Sequence, residues 1–339
     1  MPLLDMHNEN DVARYQNFVR TSKFGQVTQD LGWATVKNNW EPKHVYVENA
    51  AGDIIAAMSM LLTNTPSGKK FAYASKGPVM DMQDLTLLDQ LVAEAKLALA
   101  DDNAYLLRFD PEVLYSDAYN AELQAHGYET RNRNVADAGM HATIQPRLNM
   151  VLDLTEKPDA KETFDLYPSK TKSKLKRPIR DGVQVHWGAD QAAIDAFFKT
   201  YADMALRHGI SHRPKEYFDR MLTAFGTDGE ILRVYIATKD DAVLSTGMGF
   251  KYGDKIWYMY AGSEDGNIFY APYAVQTSMI QWAIDSGVAL YDMGGIEAVD
   301  EHDGLYIFKH TFIKAEPREY IGEIDVVLDE PTYAKLVRK

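Results

Sequence analysis

The sequence predicts a mixed α/β protein made of two similar units, and three observations carry that prediction. The chain has 339 residues, about twice an ordinary domain of roughly 150 residues. Short apolar runs bounded by Gly, Pro, Asn and Asp alternate with longer stretches whose apolar residues recur every three or four positions, so strands and helices are interleaved. The order of these elements is run through twice.

In the first pass DVARYQNFVR reads as a short opening helix. HVYVEN and IIAAMSMLL are apolar runs split by AGD, a hairpin signal. KKFAYASKGPVM is a further extended run closed by Gly-Pro. LTLLDQLVAEAKLALA has helical spacing and strong helix formers. AYLLRFDP is a strand stopped by Pro111, and AYNAELQAHGY a helix with Gly127 as its stop. In the second pass AAIDAFFKTYADMALRHG and PKEYFDRMLTAFG are helices. LRVYIAT and AVLSTGMGFKY form a hairpin around KDD, and DKIWYMYAGS is a third strand. APYAVQTSMIQWAIDSG is a helix and ALYDMGG a strand. HVYVEN thus corresponds to LRVYIAT, and AYLLRFDP to ALYDMGG. A helix pair followed by β-β-β-α-β is the order of the acetyltransferase-like (GNAT) fold, so the fold class is α/β (α+β) with two tandem acetyltransferase-like domains from a duplication. Ordinary members of that fold bind coenzyme A pyrophosphate at a glycine-rich turn opening the central helix. The corresponding stretches here, DMQDLTLL and NIFYAPYAV, lack those glycines, and backbone N–H groups cannot approach a phosphate there.

Apolar residues make up 46% of the chain and charged residues 25%, as in ordinary globular proteins. No run of about 18 apolar residues reads as a membrane span, and MPLLDMHNENDVARY lacks the features of a secretory signal. With no cysteine, disulfides, thiolate metal sites and cysteine nucleophiles are excluded. A cytoplasmic monomer is the expectation. The histidines show no HExxH or similar spacing, so no metal and no cofactor is expected.

The formal net charge is -13, which disfavours indiscriminate nucleic-acid binding. Yet SKTKSKLKRPIR, residues 169–180, holds Lys170, Lys172, Lys174, Lys176, Arg177 and Arg180 and no acid. Lysines four apart form two basic stripes on a helix, which Pro178 is expected to end or kink before Arg180. Such a surface suits a phosphate backbone; it also suits plain solvation.

Several stretches together resemble the Fem family of non-ribosomal peptidyl transferases: GQVTQDLGWATVKNNW, FAYASKGPVMD, LRFDPE, SKTKSKLKRPIRDGV, RHGISHRP, YAGS, YAPYAVQ, YDMGGI and FKHTF. They occur in order over nearly the whole chain. The resemblance implies two acetyltransferase-like domains with the C-terminal tail returning to the first, here residues 1–146 plus 317–339, and 147–316. It implies an aminoacyltransferase that moves L-alanine, or L-serine, from aminoacyl-tRNA to the lysine side-chain amine at position 3 of UDP-MurNAc-pentapeptide, starting the peptidoglycan cross-bridge. The basic segment then faces the tRNA acceptor arm.

The same resemblance assigns residues. Lys37 and Arg213 match positions that grip the UDP phosphates, with Asn39, Ser211 and Tyr217 beside them. At Arg213 the residues agree, because Pro214 suits the opening of a helix and a helix start with an Arg is a phosphate site. Tyr105 and a tyrosine of DKIWYMYAGS, Tyr258 in preference to Tyr260, are placed against the nucleotide-sugar. Strand alternation puts Tyr258 and Tyr260 on one side of that strand. Asp110 matches an acid that orients or deprotonates the attacking amine; a turn cap is the other reading of a strand-end Asp. In LYIFKHTFI, read as a strand, Lys309 sits between apolar neighbours and matches the lysine facing the reacting ester, with Phe308 next to it. A snorkelling lysine is the alternative. Two other functions stay open: an acyl-CoA-dependent N-acyltransferase, and a non-catalytic RNA-binding protein.

Overall fold

The computed structural model describes residues 3–135, 139–156, 167, 169–226, 228–266 and 269–338. Asn267 and Ile268, in the second of the two glycine-poor stretches, lie outside them. The chain forms two compact units, residues 1–149 with 318–339, and residues 150–317. Elements are numbered along the chain.

In the first unit α1 (Glu9–Thr21) begins where the Asn8 side chain accepts from the N–H groups of Asn10 and Asp11, satisfying donors a helix start leaves open. A short α2 (Gly32–Val36) follows. The hairpin of β1 (Glu41–Glu48) and β2 (Ile54–Asn64) is antiparallel. β3 (Lys70–Ala74) pairs antiparallel with β2 and parallel with β4 (Ala104–Phe109). The crossover is α3 (Leu85–Ala98), capped by Asp84. Leu88, Leu91, Val92 and Ala95 of α3 share one helix face and are buried in a core with Met58, Met60, Leu62, Leu107 and Phe109. Each large apolar side chain so buried contributes about 1.5–3 kcal/mol. After α4 (Asp117–Ala125) and β5 (Glu129–Arg131), the C-terminal segment supplies β13 (Glu323–Val327), inserted antiparallel between β4 and β5. The sheet order is β1-β2-β3-β4-β13-β5. Arg108 of β4 clamps Asp325 of β13 through two hydrogen bonds of 2.6 and 2.7 Å, and α10 (Glu330–Leu336) ends the chain.

In the second unit the strand order is β6 (Leu148–Asp153), β11 (Leu290–Gly295), β10 (Lys255–Ser263), β9 (Ala242–Tyr252), β8 (Leu232–Lys239) and β7 (Gln184–Gly188). β6 (Leu148–Asp153) starts in the first unit, where Leu148 and Asn149 pair with β12 (Arg318–Glu319). The helix α5 (Ser169–Arg180) leads to edge strand β7 (Gln184–Gly188), then to α6 (Gln191–His208) and α7 (Lys215–Phe225). Gly209 closes α6 in the left-handed region, which suits a residue without Cβ. β8 (Leu232–Lys239), β9 (Ala242–Tyr252) and β10 (Lys255–Ser263) form an antiparallel meander. Then α8 (Ala271–Asp285) crosses to β11 (Leu290–Gly295), parallel to β10, and α9 (Gly304–Phe312) follows. Both units therefore present three antiparallel strands, a crossover helix and a parallel fourth strand.

Three expectations are corrected. Residues 304–312 are a helix, not a strand. Asp303 caps it by accepting from the N–H groups of Leu305 and Tyr306. The alternation of Phe308, His310 and Phe312 misleads because 308 and 312 are also one helical turn apart, their rings 5.7 Å from each other. Of the two outcomes expected at Pro178, an end to the helix is the one overturned, since α5 runs on to Arg180. In the last turn a proline removes one ladder bond, and the buried Thr171, Leu175 and Pro178 keep that face inward. Finally, Tyr258 and Tyr260 do not share a face. A β-bulge lies between them, with Tyr258 opposite Gly249 and Tyr260 opposite Met248, and the extra residue resets the alternation.

Candidate functional site

In the parallel β3–β4 pair the last register partners are Ala74 and Phe109, and Asp110 comes next. It is buried, 6% exposed. One carboxylate oxygen accepts the Tyr73 hydroxyl at 2.6 Å, and the other accepts the Lys76 backbone N–H at 2.6 Å. Burial pushes the carboxyl up to about 7, against the pull of those two hydrogen bonds and the Lys76 charge. Lys76 holds a left-handed backbone, φ 52°, and its buried ammonium pairs with Glu112. Gln145 donates to both the Tyr73 and Ser75 hydroxyls at 3.3 Å.

The other first-unit candidates lie along the same unit without joining Asp110 in a direct contact. Lys37 caps the end of α2, partly buried, its carbonyl accepting from the Trp40 N–H. Asn39 is exposed and lines a cavity of about 390 Å³ with Trp40, Thr63, Asn64 and Lys70. Tyr105 is buried in a small cluster with Leu106 and Tyr333, its ring 6.4 Å from Phe71.

In the second unit the β10–β11 pairing runs from Lys255–Leu290 to Trp257–Asp292, and Lys309 of α9 sits beyond it. Its ammonium donates to the Gly295 carbonyl at 2.6 Å, and the residue as a whole is 5% exposed. Burial pushes it down to about 8, with Asp292 and Asp303 holding it up. Gly294 has φ 77°; a Cβ there would lie 3.8 Å from the ammonium and 3.9 Å from the Trp257 indole nitrogen. Phe308, partly buried, meets Tyr273 edge-on at 5.2 Å.

Arg213 and Ser211 are exposed on the loop before α7, whose N-cap is Pro214. The Arg213 N–H donates to the Tyr201 hydroxyl at 3.2 Å, and its guanidinium lies 5.4 Å from the Tyr217 ring. Tyr217 is buried and accepts from Tyr260 at 3.4 Å. The opposite faces of β9 locate the two strand tyrosines. Thr246 meets Thr200 of α6, whereas a Cβ on Gly247 would meet Val275 of α8 and the Tyr258 ring. Tyr258 therefore packs on the α8 side, and Tyr260 on the α6–α7 side among Tyr201, Tyr217 and Phe218. The strand tyrosine that joins Arg213 and Tyr217 is Tyr260.

On α5, Lys170, Lys176 and Arg180 are exposed and Lys172, Lys174 and Arg177 partly buried. Arg177 stands 4.6 Å over the Tyr270 ring and Lys174 5.8 Å over Tyr273. Tyr273 thus touches both Lys174 and Phe308, so the basic helix and the Lys309 helix meet at the start of α8. Arg177 and Arg180 also pair with Asp181.

Sequence reasoning missed Tyr73, Lys76, Glu112, Gln145, Tyr270 and Tyr273. The first two stand in FAYASKG, where a lysine before Gly-Pro marked a turn but no partner was visible. Among the described residues no group of three or more His, Asp and Glu could hold a metal ion, and no helix is long and apolar enough to cross a membrane.

Comparison with known proteins agrees with this architecture. The FemAB family profile matches residues 11–240 and 231–337. The UDP-N-acetylmuramoylpentapeptide-lysine N(6)-alanyltransferase of Weissella viridescens is 66% identical over 338 residues, covering 100% of both chains. The crystal structure of FemX superposes with a TM-score of 0.84 at 20% identity, covering 97% of this chain and 98% of that one. A tandem GNAT protein from the clavulanic acid biosynthesis pathway superposes with a TM-score of 0.54 at 11% identity, over 96% and 97%. The fold class read from the sequence holds: two acetyltransferase-like domains in tandem. With both matches running the length of the molecule, this chain is a member of the FemAB family.

Proposed function

We propose that the protein transfers an aminoacyl group, alanine in the first instance and serine as the alternative, from aminoacyl-tRNA to the lysine amine at position 3 of UDP-MurNAc-pentapeptide. The observation that carries this reading is the 66% identity, end to end, with an enzyme named for alanyl transfer to that lysine. In the reaction the amine nitrogen attacks the ester carbonyl, a tetrahedral oxyanion forms, the ester C–O bond breaks, and the tRNA oxygen leaves with a proton.

The residues divide the work as follows. The Lys309 ammonium, fixed on Gly295 and removed from water, supplies positive charge for the oxyanion, with Phe308 shielding it. Asp110 orients the acceptor amine and takes its proton. An amine of ordinary pKa near 10.4 is a poor match for a carboxylate, and burial narrows that gap by raising Asp110. Arg213 and Lys37 hold the pyrophosphate, with Asn39, Tyr105, Ser211, Tyr217 and Tyr258 as further contacts of the precursor and Tyr260 added by its place beside Arg213. Lys170, Lys172, Lys174, Lys176, Arg177 and Arg180 hold the tRNA acceptor arm. The protein works as a cytoplasmic monomer.

The test is a mass spectrum of UDP-MurNAc-pentapeptide after incubation with the protein and mixed aminoacyl-tRNAs. A gain of one alanine or serine residue is expected. An unchanged precursor, with folded protein and intact charged tRNA, overturns the reading.

A further inference from the structure

The Asp110 carboxylate is buried, and both its oxygens are already engaged by first-unit neighbours. An isolated carboxylate in such a place takes up a proton and becomes a poor acceptor for an amine. The surroundings decide whether it stays charged. From β3 comes the Tyr73 hydroxyl at 2.6 Å. From the turn after β3 comes the Lys76 N–H at 2.6 Å, and the Lys76 ammonium, which pairs with Glu112, adds a positive charge that also favours the ionised form. From β13 comes Glu323, held by Arg108 and Arg131. Of the side chains that face Asp110, the Tyr73 hydroxyl is the one that donates directly to it among the described residues.

Tyr73 is itself aimed from two sides. Its ring stacks on Phe71 at 6.0 Å and 16°, and its oxygen accepts from Gln145. An amide donating to a phenol oxygen makes the phenol a stronger donor to the next acceptor in the chain. The order Gln145 to Tyr73 to Asp110 therefore points hydrogen-bond strength at the carboxylate.

We propose that Tyr73 is a positioning residue for Asp110, with Gln145 behind it: the hydroxyl fixes the orientation of the carboxylate and keeps it ionised at a buried position. The bearing on catalysis rests on the role given to Asp110 above; the effect on ionisation does not.

The experiment is a carbon-13 NMR titration of aspartate-labelled full-length protein, with Asp110→Asn to assign the Asp110 carboxyl signal. Tyr73→Phe removes one hydrogen bond to a charged group, which should move the Asp110 titration up by about one to two pH units. The rising limb of the kcat/KM profile should move with it, while KM for the precursor changes little. A folded Tyr73→Phe whose Asp110 signal titrates as in the parent overturns the proposal. Should that variant not fold, 3-fluorotyrosine at position 73 keeps the shape and sharpens the donor, so the titration should move down; no movement again overturns it. Full turnover in Asp110→Asn would sink the catalytic reading of Asp110 and leave the titration to decide the part played by Tyr73.

Discussion

The ends of β4 and β11 occupy equivalent places in the two units and do opposite things. After β4 the chain buries an acid, Asp110, and burial raises its pKa to about 7. After β11 a lysine enters from α9, and burial lowers its pKa to about 8. The same physical cause drives both groups toward neutrality from opposite sides. The acid is local to its strand and tied to the preceding turn by the Lys76 N–H. The lysine comes from a later helix and is tied to a strand-end carbonyl. Two domains of the same fold can thus offer the same strand-end position twice and fill it with different chemistry.

The largest effect that would break this pairing is loss of the lysine. Lys309→Met should lower kcat by about 100- to 1000-fold while the precursor's Kd stays near the parent value. Normal turnover would remove Lys309 from the reaction. Asp110→Asn should cost about a hundredfold, measured in the same transfer assay.

The pH profile sharpens the comparison. If transfer needs Asp110 ionised and Lys309 protonated, kcat/KM should rise through about pH 7 and fall through about pH 8. Stability has its own signs. Asp110 is raised on folding, so its contribution is present below pH 4 or so and is lost as pH rises through about 7. Lys309 is lowered on folding, so its contribution is present above roughly pH 10 and is lost as pH falls through about 8. Both groups burden the fold between about 7 and 8, where both are charged. Denaturant titrations of Asp110→Asn and Lys309→Met across pH should each flatten the matching limb; parallel curves would show that neither group is linked to folding.

Smaller effects test the outer surfaces. Arg213→Ala should weaken precursor binding by about tenfold, the scale of a charge-assisted contact to phosphate. Calorimetry checks it, and an unchanged Kd would take Arg213 out of the phosphate site. Lys176→Ala with Arg180→Ala should weaken tRNA binding a few-fold and reduce the slope of log K against log salt by roughly one to two. An unchanged slope would return both side chains to simple solvation.

Most of the α/β order was legible because its signals are local. Examples are the AGD turn between β1 and β2, the KDD turn between β8 and β9, and Pro111, which stops β4. What failed depended on coincidence or on distance. The α9 segment has apolar residues that satisfy a period of two and of four at once. The bulge at Tyr258/Tyr260 adds one residue with no compositional mark, and it reversed the face assigned to Tyr260. Of the site, the individual charges at Asp110, Arg213 and Lys309 stood out through family resemblance. The hydrogen bonds around Asp110 did not, since Tyr73 and Gln145 are 72 residues apart and no spacing rule links them.

The insertion of β13 between β4 and β5 sets an order of events during synthesis. Arg108 leaves the ribosome long before Asp325, which lies 217 residues later. Until then β4 lacks its partner strand along one edge, and β5 has no neighbour in the sheet. Residues 150–317 are complete before that strand exists. The half of the protein that is made first is therefore the half that finishes last, because its sheet closes only once residues 323–327 are available.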